Sequence, residues 1–271
     1  MATSINTNYG AAVALQNLNA TNAMLERTQN RVSTGLKVGS AKDSGAIYAI
    51  ATGQRANMGA MDSVRASLQR GQSIVDVSLA AGDTVTAALE EMKGLAVSIA
   101  GSTGATQTSY LTEFRALGAE ITSALAGASF DGVNLWTNAA ATNVIKDVSG
   151  GTTSVGFTVA GGMAGDTAIT TITDQSIAAG AATTAAVDAA IAKVTDALST
   201  LGTQSKSVSR QVTFLNKLQD ATEAGIGNLV DADLAKESAK LTALQTKQQL
   251  GVQALSIANQ SSQTLLSLFR N

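Results

Sequence analysis

The sequence predicts a mainly α-helical protein, a long-helix coiled-coil rod with a small β-hairpin region, built to assemble. Heptad-spaced apolar stripes at both ends carry that prediction. Near the amino end Ala11, Leu18, Leu25 and Val32 recur every seven residues. Near the carboxyl end Leu234, Leu241, Leu255 and Phe269 share one seven-residue track, with Leu244, Ala258 and Leu265 on a second track three residues on. Such stripes are coiled-coil seams, and a seam needs a partner. The chain holds no proline, although roughly 14 would be usual at this length; long uninterrupted helices exclude it, because an interior proline costs about 3 kcal/mol. A need to fold quickly, without slow X-Pro isomerisation, excludes it equally well. Leu, Ile, Val and Phe make up only about 23% of the chain, and alanine supplies most of the rest of the 45% apolar fraction. Alanine favours helix and buries little area, which suits narrow seams better than one thick core.

The elements follow in order. Residues 1 to 9 are polar and weakly patterned and read as a flexible start to a helix ending near Ser33. Gly35 and Gly39, within STGLKVGSAKDS, mark a joint. From Asp43, a good N-cap, Met61, Val64, Leu68, Val75, Val85, Leu89, Met92, Ala96 and Ile99 hold one track, which predicts a helix of roughly 55 residues. The text from Gly101 to Gln107 reads as a reversing loop, after which Leu111, Phe114, Ile121 and Leu125 begin a shorter helix. From Thr137 to about Gln175 the alternation of Val155, Phe157 and Val159 predicts β-hairpins, with Gly150-Gly151 and Gly161-Gly162 as turns. Val187, Ile191, Val194, Leu198, Leu201, Val208, Val212 and Leu215 then step by four and three, interrupted at Ser205. A second joint is expected at Gly225 to Val230, and a last helix from about Asp233. The order is palindromic, which places both termini in one inner segment and the middle of the chain in an outer one.

Charge and composition bound the function. The net charge is -2, and no basic patch is present to recruit nucleic acid. The amino end has neither the cationic region nor the apolar core of a secretory signal, and no stretch reaches the ~18 apolar residues of a membrane span, so no membrane insertion is expected. With no His and no Cys, the usual general base, nucleophilic thiol and metal ligands are missing. Glu90 and Glu91 read as a solvated helix face, Asp231 and Asp233 as caps of the last helix, and the GGMAGD tract from Gly161 as a turn. No enzyme, metal or cofactor is expected. Sequons at Asn19 and Asn259 are chance matches, and the Ser and Thr between Gly101 and Thr184 are candidate acceptors of O-linked sugars. The last 38 residues carry few charges and a face of Gln, Ser, Thr and Asn, which suits a helix packed on several sides or lining a water-filled channel.

The amino-terminal SINTNYGAAVALQNLNATNAMLERTQNRVSTGLKVGSAKDSGA and the carboxyl-terminal NLVDADLAKESAKLTALQTKQQLGVQALSIANQSSQTLLSLF closely resemble the terminal regions of bacterial flagellins. The likeness covers about the first 135 residues, through FDGVNLW at Phe130 to Trp136, and about the last 85. It implies a minimal flagellin, a structural subunit that self-assembles into a hollow helical propeller for swimming, with a hook-filament junction or cap-associated protein as the alternative. It implies an inner domain of residues 1–33 with 233–271, forming helical tubes around a channel through Leu18, Leu25, Val32, Leu241, Leu244, Leu255, Leu265 and Phe269. Residues 34–44 and 225–232 would be connecting spokes, and 45–224 an outer helical bundle with β-hairpins at about 137–175. The implied partners are further copies of the chain, sibling flagellins, filament cap and hook-junction proteins, the flagellar type III export apparatus, and an export chaperone. That chaperone would cover Leu234, Leu241, Leu244 and Leu255, and the implied location is the extracellular filament. Two positions depart from the segment that the Toll-like flagellin receptor senses: Glu91 stands where Arg is general and Gly94 where Glu is, which implies weak or absent activation. Ser44-Gly45 also departs, from Asp-Ala.

Overall fold

A computed structural model describes residues 8–268, with side chains through residue 260; Phe269 lies outside the described residues, and so does the side chain of Leu265. The elements are α1 (Tyr9–Thr34), α2 (Gly45–Ala100), α3 (Gly104–Gly127), β1 (Thr142–Ile145), β2 (Thr152–Val155), a 3₁₀ turn (Met163–Gly165), α4 (Thr167–Thr173), α5 (Thr184–Val230) and α6 (Leu234–Leu268). They form two compact units, one of residues before Asn57 and after Asp220, the other Asn57–Asp220, and α2 and α5 contribute to both.

The 57–220 unit is built on the seam of α2. Every apolar residue expected on its track, from Met61 to Ile99, is buried. Gly71, Ser78 and Gly82 occupy the remaining positions, so the three-four alternation is unbroken. These small residues are where other chain segments come close. A Cβ on Gly71 would stand 2.6 Å from Val144 of β1, and one on Gly82 would stand 2.4 Å from Leu198 and 2.9 Å from the Trp136 ring. Ser78 turns its hydroxyl back to Ile74 O at 2.9 Å, and its carbonyl accepts the Trp136 indole N–H at 2.8 Å.

On α5 the buried track is Val187, Ala190, Val194, Ala197, Leu201, Val208 and Leu215. Ile191, Leu198 and Val212, expected at its centre, flank it half-buried. Alanine takes the central places because it lets the backbones approach. The three-four alternation passes through Gln204, not Ser205. Gln204 accepts the Gly156 N–H at 2.7 Å and donates to Gly156 O at 3.0 Å, tying the end of β2 to α5. Pairs such as Lys93–Asp188 and Arg65–Asn216 set α2 and α5 antiparallel.

The segment after α3 is a compact cover. Phe130 and Val133 exchange backbone hydrogen bonds across Asp131 and Gly132, both at positive φ, which is the two-residue hairpin that Asp-Gly favours. The Asn134 amide donates to Leu125 O and Ala126 O, capping the end of α3, while its oxygen accepts from Trp136 N and Thr137 N. Trp136 is thereby held against Phe157, with ring centroids 5.8 Å apart.

The structure corrects five further sequence expectations. Between residues 137 and 175 one hairpin is present, β1 with β2 turning at Gly150-Gly151, and residues 167–173 are helix, capped by Asp166 and pinned by buried Ile169 and Ile172. Gly161-Gly162 turns into the 3₁₀ segment, not into a second hairpin. The reversing loop is only residues 101–103, because Thr108 and Ser109 return their hydroxyls to the carbonyls four residues back and remain helical. The joint expected at Gly225–Val230 is also helical, since burial of Ile226 and Val230 offsets the glycines; the break falls at residues 231–233. Asp43 does not cap α2, which begins at Gly45: its carboxylate turns back to accept from Gly39 N, Ser40 N and Ser40 Oγ, and these bonds, the Ser40 hydroxyl foremost, hold its pKa below the usual carboxylate range.

Candidate assembly interface

The terminal helices α1 and α6 pack along each other. Asn8 caps α1 by accepting from Ala11 N at 3.0 Å, and its amide donates to Ala258 O at 2.7 Å. Gln248 donates to Asn22 at 2.9 Å, and Arg31 meets Glu237 at 3.2 Å. As one number rises the other falls, so the pair is antiparallel, and these polar contacts fix its register. Gly35, at φ 71°, ends α1, and Asp233 caps α6 by accepting from Lys236 N, as expected for that aspartate. Between the helices, Lys37 N and Val38 N donate to Val230 O, Ala232 N donates to Gly35 O, and Leu36 bridges Asp231. The two connecting segments are therefore bonded backbone to backbone.

The seam itself is narrow. Leu18, Leu25 and Val32 lie half-buried on an α1 track whose buried members are Thr21 and Thr28. Ala14, Thr21 and Thr28 complete the three-four spacing and were missed because they are small or polar. On α6 the track runs Glu237, Leu241, Leu244, Gln248, Gly251, Leu255 and Ala258; Leu244 is buried at 7% exposure and Leu241 and Leu255 are half-buried. A Cβ on Gly251 would stand 3.2 Å from Leu18, so glycine brings the helices close there. Leu234, three residues before Glu237 on the same track, is 50% exposed. Glu91 and Gly94 are exposed on α2.

A fully buried leucine contributes about 2 kcal/mol, and among the described residues this seam has one in helices of 26 and 35 residues. Much apolar surface remains outside it: Val13, Leu15 and Met24 on α1, and Leu234, Leu250, Val252 and Ile257 on α6 are all exposed. Patches of this kind mark contact surfaces. Among the described residues no acidic cluster is placed to hold a metal ion, and no helix is long and apolar enough to cross a membrane.

Paired terminal helices that leave apolar side chains exposed define a helical protein suited to packing on neighbours. Residues 5–141 match the family described as the bacterial flagellin N-terminal helical region, and residues 184–269 its C-terminal helical region. The chain is 50% identical to flagellin FljM of Caulobacter vibrioides and 38% identical to a flagellin of Brucella melitensis, covering at least 98% of each pair of chains. It is 29% identical to flagellin A of Rhizobium meliloti across an alignment of 398 positions, which spans a longer protein. The chain belongs to the bacterial flagellins and is a structural subunit of the flagellar filament, in a minimal form.

Proposed function

We propose that α1 and α6 are the inner core through which copies pack into a hollow helical propeller, residues 34–44 and 231–233 being the spokes to an outer, mainly α2–α5 domain. The apolar surface left outside the α1–α6 seam carries this reading. Among the described residues one leucine is buried between two long helices, while Leu250 and Ile257 on α6 are 60% and 66% exposed; neighbouring copies would bury them. By their heptad spacing from Ala258 and Leu255, Leu265 and Phe269 would continue the seam itself.

The same chemistry supports an export chaperone. Leu234, Leu241, Leu244 and Leu255 would be covered before delivery through the type III apparatus, three of them by displacing α1, and released beneath the cap for assembly beyond the hook junction. A chain ending at Asp231 is the test: loss of both filament formation and chaperone capture is expected, and normal filaments from it would defeat the proposal. Weak or absent signalling through the Toll-like flagellin receptor is proposed from Glu91 and Gly94, and strong reporter activation by purified subunit would overturn it.

A further inference from the structure

Two exposed stripes of the 57–220 unit are complementary in charge. On α2, Asp76, Asp83, Glu90 and Val97 recur every seven residues, all exposed, with Val97 at 59%. On α5, Lys206, Arg210, Phe214 and Lys217 lie within an arc of about 80° at 3.6 residues per turn, all exposed, with Phe214 at 65%. From Ala197 to Gln219 these three basic residues are the only charges on α5. Among the described residues none of the six charged side chains has an ion-pair partner. Asp76 to Glu90 spans about 21 Å and Lys206 to Lys217 about 17 Å at 1.5 Å per residue.

We infer that the acidic α2 stripe of one copy docks on the basic α5 stripe of the next, with Phe214 as the apolar anchor, giving a second subunit contact besides the terminal helices. This rests on the filament reading. The occupant is a second copy because the stripes are opposite in sign and similar in length and each carries an exposed apolar side chain. Two different faces meet, so the contact is heterologous, the kind that builds an open helical filament when its rotation does not close.

The test is seeded elongation of the full chain, followed by light scattering. One variant carries Lys206→Glu, Arg210→Glu and Lys217→Glu; the other carries Asp76→Lys, Asp83→Lys and Glu90→Lys. Facing like charges are expected to slow each variant about tenfold or more, whereas an equal mixture recovers to within about threefold of the unaltered chain, since every acidic face then meets a basic one. Phe214→Ser, an exposed change of little consequence for folding, is expected to slow elongation as well. Unaltered rates in either triple variant, or a mixture as slow as its components, would overturn the docking. Failure of the unaltered chain to elongate would instead remove the filament reading beneath it.

Discussion

Gly82 and Gly94 lie on one helix and face opposite requirements. A Cβ at Gly82 meets Leu198 and Trp136 inside contact distance, whereas one at Gly94 meets nothing within 4 Å. Gly82→Ala is therefore expected to destabilise by about 1–3 kcal/mol through overpacking, and Gly94→Ala to stabilise by about 0.4–1 kcal/mol by restricting the unfolded chain. Urea midpoints at unchanged m-value check both; a neutral Gly82→Ala would show that the α2 seam tolerates a methyl group where Trp136 docks. Asn134 makes four hydrogen bonds from a buried position, so Asn134→Ala should cost about 1–3 kcal/mol. Loss of the fixed Trp136 environment should appear in its fluorescence at the same urea concentration. Asp43 gives a pH signature. Its folded pKa is lowered, so its contribution is complete above the usual value of about 3.9 and is lost as pH falls through the lowered one. A carboxyl titration followed by NMR should place Asp43 below that value, and a normal value would mean that the Ser40 turn does not persist in solution.

Helices α1 and α2 differ in how much holds them. The α2 track from Met61 to Ile99 is buried throughout, whereas the α1–α6 seam fully buries Thr21, Thr28 and Leu244. In free subunits the amides of α1 and α6 are expected to exchange on the order of a hundredfold faster than those of the α2 seam, and proteases should remove both ends and spare about residues 45 to 225. Equal protection would show that the terminal pair is stable without neighbours. The sequence made the long helices legible because three-four apolar spacing survives alanine and glycine substitution in part. It concealed others for definite reasons. TAITTIT reads as a strand by its β-branched residues, yet Asp166 caps it and buried Ile169 and Ile172 hold it as helix. Gly225 and Gly227 read as a joint, yet Ile226 and Val230 keep that turn helical. In the candidate interface Leu18, Leu25 and Leu244 were legible as apolar members of a heptad, while Thr21, Thr28 and Gln248 were not, because polar residues in a seam carry no signal of their own.

The subunit combines a well-buried 57–220 unit with a terminal pair that leaves many large apolar side chains exposed. In the proposed assembly, copies that bury Leu250 and Ile257 against one another would recover the contacts the isolated pair lacks. The most direct measurement is electron microscopy of the purified full chain after addition of ammonium sulfate, which strengthens apolar burial. Long, uniform, hollow filaments are the predicted result. Persistent monomers, even in the presence of preformed seeds, would contradict the account.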